Sequence, residues 1–159
     1  MHRLLYVSEA HLAHSDDDQS HAEVQALNHQ FSEANTAAGL SGALIYIERQ
    51  FIQVLEGRLE ALEHLFERIC CDFRHTNVRL IDLVPAEERL FRDWGMACLA
   101  VGESSPINLR DELHQVNFLV GVNGRQAIDQ IRSLLDRYGG RQSFDDASGA
   151  SRLAEAFTG

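Results

Sequence analysis

The sequence predicts an α+β protein, on three observations. Segments with period-two alternation are interleaved with segments of helical spacing, in the order β-α-β-β-α-β-β. Two of the predicted strands, "SGALIYI" and "FIQVLEG", are separated only by "ERQ", which makes a hairpin. Two more helical patterns follow residue 101. This order suits a ferredoxin-like sandwich, with two helices on one face of the sheet and two additional C-terminal helices to cover the other.

Each element has a local reason. "RLLYVSEA" alternates Leu4, Tyr6 and Ser8 on one face with Leu5 and Val7 on the other. "HLAHSDDDQSH" is polar and reads as a loop. From Ser20 to Ala38, Val24, Leu27, Phe31, Ala34 and Ala38 recur at helical spacing, and Gly39 is a C-terminal stop. After the hairpin, Leu62, Leu65, Ile69 and Phe73 define a second helix from Leu59 to Phe73. "VRLIDLVP" is a strand ended by Pro85, and "FRDWGMACLAV" is a last strand that puts Trp94 and Met96 on one face. Helices are predicted over 107–121, with Leu109, Leu113 and Val116, and over 124–138, with Ile128, Ile131, Leu135 and Tyr138. "GGRQSFDDASGASR" has the composition of a flexible tail.

Composition narrows the function. With 45% hydrophobic and 24% charged residues the chain has ordinary globular character. The formal charge is −10 and the 14 basic residues are scattered, which argues against direct nucleic-acid or anionic-membrane binding. "MHRLLYVSEA" is too short and polar for a signal peptide, and no apolar run approaches ~18 residues. Three cysteines, Cys70, Cys71 and Cys98, lack C-x-x-C spacing and predict reduced thiols in a cytoplasm. His11, His14 and His21 beside Asp16 to Asp18 match no standard metal spacing, so no metal is expected. Nucleophilic-triad, Walker and dinucleotide-fingerprint motifs are missing, and an enzyme is not expected.

The informative feature is polarity on inward faces. Gln53 lies between Phe51 and Leu55 on one face of its strand, where an unpaired amide would cost roughly 1–3 kcal/mol. Asn28 and Asn35 fall on or beside the apolar stripe of the first helix, although Asn35 also suits helix C-terminal chemistry. Arg68 and Asp72, four apart, flank Leu65 and Ile69, and a surface ion pair of no functional interest is the ordinary reading of such a spacing. Tyr6 suits a half-buried core position, and Trp94 with Met96 suits core packing. Together these groups surround a space between two helices and a sheet. Amides, an Arg/Asp pair and a tyrosine in an apolar setting suit a flat heteroaromatic ligand.

In this order, "LLYVS", "SEANTAAGLSGALIY", "FIQVLEG", "RICCDFRH" and "FRDWGM" resemble the BLUF family, the flavin-based blue-light sensors, over about residues 2 to 101. The later helices resemble those appended to short, stand-alone members. The resemblance implies that Tyr6 donates an electron and a proton to the photoexcited flavin and that Gln53 lies between them. It places Asn35 against the flavin ring, Arg68 and Asp72 at its pyrimidine side, and Arg74 and His75 near the pocket rim. Trp94 and Met96 match last-strand residues that exchange places near the glutamine. FAD is the implied cofactor, with FMN and riboflavin also compatible. The loop before the first helix, with "SDDDQ" inside it, is longer than the family's usual one.

The expected organisation is a flavin-binding domain over 1–101, a helical extension on the sheet over 102–140 and a flexible tail over 141–159. The expected function is a blue-light photoreceptor in which rearranged Gln53 hydrogen bonds alter the C-terminal helices. Its partner would be a separate signalling protein, and a homo-oligomer is expected. The alternative is a non-photoactive small-molecule-binding or protein-interaction module of the same fold.

Overall fold

The computed structural model of the protein describes residues 1–13, 17–102 and 105–139. His14, Asp16 and the expected tail lie outside them. Strand β1 (His2–Ala10), helix α1 (Asp17–Ala37), strands β2 (Ser41–Ile47) and β3 (Gln50–Gly57), helix α2 (Leu59–Cys70), strands β4 (His75–Pro85) and β5 (Ala97–Ala100), and helices α3 (Ile107–Val122) and α4 (Gly124–Leu134) follow in order. A π-helical turn, Leu135–Gly139, prolongs α4.

The sheet runs β4-β1-β3-β2-β5, with the β2–β5 pair parallel and the other neighbours antiparallel. β3 lies between β1 and β2, so the β1-α1-β2 crossover spans one strand, as the ferredoxin-like order requires. The β2–β3 turn is the pair Glu48–Arg49, both at positive φ (49° and 61°). Positive φ at both central positions is the conformation that matches strand twist in a two-residue hairpin. Gly39, at φ 73°, closes α1 in the left-handed conformation that glycine adopts without steric cost.

Both faces of the sheet are covered, so the central strands are apolar almost throughout. Leu4, Tyr6, Leu44, Phe51 and Leu55 pack with Val24 of α1 and with Leu62 and Ile69 of α2. Leu5, Val7, Ile45, Ile52 and Val54 pack with Leu113, Val116, Ile128 and Ile131 of α3 and α4. Burying such side chains contributes roughly 1.5–3 kcal/mol each before entropy is counted. No helix among the described residues is long and apolar enough to cross a membrane.

Four expectations change. α1 begins at Asp17 rather than Ser20, which brings the fully buried Ser20 inside the helix. α2 ends at Cys70, because Asp72 Oδ1 accepts the Arg74 backbone N–H at 2.9 Å and turns the chain. Phe73, predicted on the apolar stripe, is therefore 95% exposed. The last strand is confined to Ala97–Ala100. The preceding stretch does not extend the ladder, since side chains take its backbone groups: Glu56 accepts from the Leu90 and Phe91 N–H groups, and Asn28 and Asn35 donate to the Met96 and Gly95 carbonyls. Finally, Trp94 and Met96 do not share a face. Met96 packs on the α1/α2 side of the sheet and Trp94 on the α3/α4 side, with Arg132 over its indole.

Candidate functional site

A cavity of about 670 Å³ opens between α1, α2 and the sheet. α1 contributes Leu27, Phe31, Ala34 and Asn35, four residues at helical spacing with one amide among apolar groups, and Ala38 follows just beyond its end. α2 contributes His64, Leu65, Arg68 and Ile69, and the sheet contributes Leu44, Phe51 and Gln53 as the floor. Asp72, Arg74 and His75 close one side.

Gln53 is buried at the floor, and both ends of its amide are engaged. Tyr6 lies opposite it in the β1–β3 register and donates its hydroxyl hydrogen to Gln53 Oε1. Gln53 Nε2 donates to Met96 Sδ at 3.3 Å. Tyr6 and Met96 do not line the cavity themselves; they reach it through Gln53. Burial, with Asp72 and Cys70 nearby, holds the Tyr6 hydroxyl far above the usual phenol range. The phenol is therefore neutral, and losing a proton alone is strongly resisted.

The expected Arg68–Asp72 pair gives way to another. Asp72 pairs with Arg74, whose Nε lies 2.9 and 3.1 Å from the two carboxylate oxygens. That hydrogen bonding holds the Asp72 carboxyl below the usual carboxylate range despite partial burial. Arg74 also lies over the Phe31 ring, 5.2 Å from its centroid. Arg68 remains exposed at the cavity wall beside His64, one turn earlier on α2.

His75 Nδ1 and Ser8 Oγ are 2.8 Å apart, and the His75 ring lies 4.8 Å from that of Phe51. Burial holds the imidazole below the usual histidine range, with the nearby Asp72 charge pulling the other way. The unfolded chain thus takes up a proton before the folded chain does as pH falls. Stability contributed by neutral His75 is present above about pH 6.5, the ordinary value, and declines as pH drops below it. Thermal unfolding between about pH 7.5 and about pH 5, which brackets the ordinary histidine value, is expected to show a smaller acid loss in His75→Phe than in the native protein. Equal losses would refute the assignment.

Sequence reasoning found Asn35, Gln53, Arg68, Asp72, Arg74 and His75, all of which line the cavity. It missed His64, whose signal was the four-residue spacing to Arg68, and the role of Ser8, which shares the Tyr6 face of β1. It also placed Trp94 at the site, and the structure puts Trp94 across the sheet. Among the described residues no group of three or more metal-ligating side chains is present.

An apolar slot of this volume, with a few amides and cations on its walls, defines a receptor for a flat heteroaromatic molecule. Residues 1–97 match the model of the BLUF family, sensors of blue light using FAD, and the chain belongs to that family. It is 33% identical over 97 residues to photoactivated adenylate cyclase subunit alpha of Euglena gracilis, a match covering 60% of this chain and 9% of that protein. The beta subunit from Euglena longa is 30% identical over 88 residues, covering 55% of this chain and 10% of that protein. The chain thus spans about a tenth of the curated relatives it matches. Among solved structures, the dark state of the BLUF protein BlrB superposes with a TM-score of 0.63 at 26% identity, over 83% of this chain and 92% of that one. A bacterial light-regulated adenylyl cyclase gives 0.60 at 26% identity, over 87% of this chain and 36% of that one. The protein is a flavin-based blue-light sensor.

Proposed function

We propose that Tyr6, Gln53 and Met96 form the light switch, and that the cavity holds FAD. FMN and riboflavin share the ring that the cavity walls contact. Volume and chemistry support the fit: about 670 Å³, apolar walls, and donors on Asn35, Gln53, His64 and Arg68 for a ring rich in carbonyls and nitrogens. Asn35 and Gln53 would hold the ring, with Arg68 and Asp72 toward its pyrimidine side and Arg74 and His75 at the rim. When bound, the flavin supplies blue-light absorption and a strongly oxidising excited state.

The residues of the chain then do the rest. Because burial opposes a phenolate, Tyr6 would give up its hydroxyl proton, along the hydrogen bond to Gln53 Oε1, only together with an electron, for which the excited flavin would be the acceptor. Gln53 would rotate or tautomerise, so that its donor and acceptor ends change places, and the electron held by the flavin would return to Tyr6 with the proton. The two arrangements differ by a small free energy, which makes them switchable. The observation that carries this reading is the continuous hydrogen-bonded line from Tyr6 through Gln53 to Met96, with Gln53 at the cavity floor.

Output would pass from Met96 into β5 and the helices beyond it, with residues 1–101 as sensor and 102–140 as the responding extension. The sensor occupies a minor part of its cyclase relatives, and we infer that this chain acts on a separate effector protein in the cytoplasm, as a homo-oligomer and without catalysis of its own.

An absorption spectrum of purified protein in darkness, under blue light and during recovery tests the reading. A flavin spectrum that moves slightly to the red and returns is expected. A colourless protein that also rejects added flavin would leave the alternative, a non-photoactive binding module.

A further inference from the structure

Asn28 is a costly residue for its place. It sits inside α1, where asparagine is a poor helix former. Its Oδ1 is buried with no hydrogen-bond partner among the described residues. Yet its Nδ2 donates to the Met96 carbonyl at 3.0 Å, 68 residues away in sequence. Two turns on, Asn35 Nδ2 donates to the Gly95 carbonyl at 3.3 Å. Beside these amides Gly95 lies close against α1: a Cβ there would lie 2.3 Å from the Thr36 side-chain Oγ1 and 2.5 Å from the Ser32 carbonyl oxygen. One face of α1 therefore grips Gly95–Met96, the segment whose Met96 Sδ meets Gln53.

The two amides differ. Asn35 lines the cavity, so its bond to Gly95 competes with a bound ring. Asn28 does not line it and serves the protein alone. We propose that Asn28 is a positioning residue of the switch: its amide fixes the Met96 main chain to α1 and so sets where the thioether stands against Gln53. The inference rests on Gln53 being the switch. Exchanging the Gln53 partners requires Met96 to yield, and the Asn28 bond resists that movement in either direction.

The test compares full-length, flavin-loaded Asn28→Ala and Asn28→Asp with the native protein. Aspartate keeps the shape and loses the N–H donor, so it serves if alanine fails to fold. Losing a net hydrogen bond of about 1 kcal/mol corresponds to about fivefold in rate, so dark recovery is expected to be about fivefold faster in both. In a Met96→Ala background the same Asn28→Ala change is expected to shift recovery by less than about twofold, since the coupled partner is gone. Amide exchange of the peptide spanning residues 92–98, measured in the dark without flavin, is expected to quicken by about fivefold in Asn28→Ala. Native-like recovery in both variants, or a fivefold effect that persists without Met96, overturns the proposal. A native protein that shows no light-induced shift overturns the switch itself, and unchanged amide exchange overturns the tie independently.

Discussion

Tyr6→Phe is expected to yield a protein that takes up flavin normally and shows no light-induced red shift. Tyr6 does not line the cavity, so the volume open to the ring is unchanged. What disappears is one hydroxyl, and with it the donor to Gln53 Oε1. No other tyrosine stands in the β1–β3 register opposite the glutamine. A buried acceptor left without its partner costs about 1–3 kcal/mol. For a chain of this size each kcal/mol lowers the melting temperature by about 2–4 °C, so the variant should remain folded at room temperature. Difference spectra of the loaded variant before and after blue light decide the matter. A reversible shift of native size in Tyr6→Phe would remove Tyr6 from the mechanism, and loss of flavin uptake would make it a binding residue instead.

Much of this arrangement could be read from periodicity. Alternation in β1 separates Leu4 and Tyr6 from Leu5 and Val7, and the two sets pack on opposite faces of the sheet. Gln53 stood out because an amide between Phe51 and Leu55 needs a partner, and it has two. Periodicity fails where a distant side chain satisfies the backbone. Residues 91–96 look like the start of a strand, but Glu56, Asn28 and Asn35 occupy N–H and carbonyl groups at Leu90, Phe91, Gly95 and Met96, and this bends the segment so that Trp94 and Met96 part to opposite faces. The helical spacing of Phe73 failed for a local reason that was visible: Asp72 two residues before Arg74 favours a turn. The same turn explains why Asp72 meets Arg74 and not Arg68. The Ser8–His75 contact joins residues 67 apart in sequence, and no local pattern announces it.

Glu56→Ala is expected to have the largest effect on stability. Glu56 follows Gln53 by three residues on β3 and is fully buried. Its carboxylate accepts from Arg3 Nε at 3.0 Å and Nη2 at 2.9 Å, and from the Leu90 and Phe91 backbone N–H groups at 2.8 and 2.7 Å. Alanine leaves the largely buried Arg3 guanidinium without its carboxylate, holding only the Glu88 carbonyl, and leaves two backbone donors without acceptors. Removing one partner of a buried ion pair costs about 3–5 kcal/mol, or on the order of 6–20 °C in melting temperature at this chain length. Arg3→Ala should cost less, because the carboxylate keeps both backbone N–H groups and the Ser41 hydroxyl. Glu56→Gln should also fall between, since an amide oxygen still accepts while the charge facing Arg3 is lost. Thermal unfolding of the three variants, with and without flavin, tests this order. The carboxylate also anchors the start of the segment that ends at Met96, so Glu56→Gln, if folded, should alter dark recovery although Glu56 touches neither Gln53 nor the cavity. A melting temperature for Glu56→Ala within about 2 °C of the native protein would mean that the segment 90–96 holds its place by packing of the buried Phe91 alone.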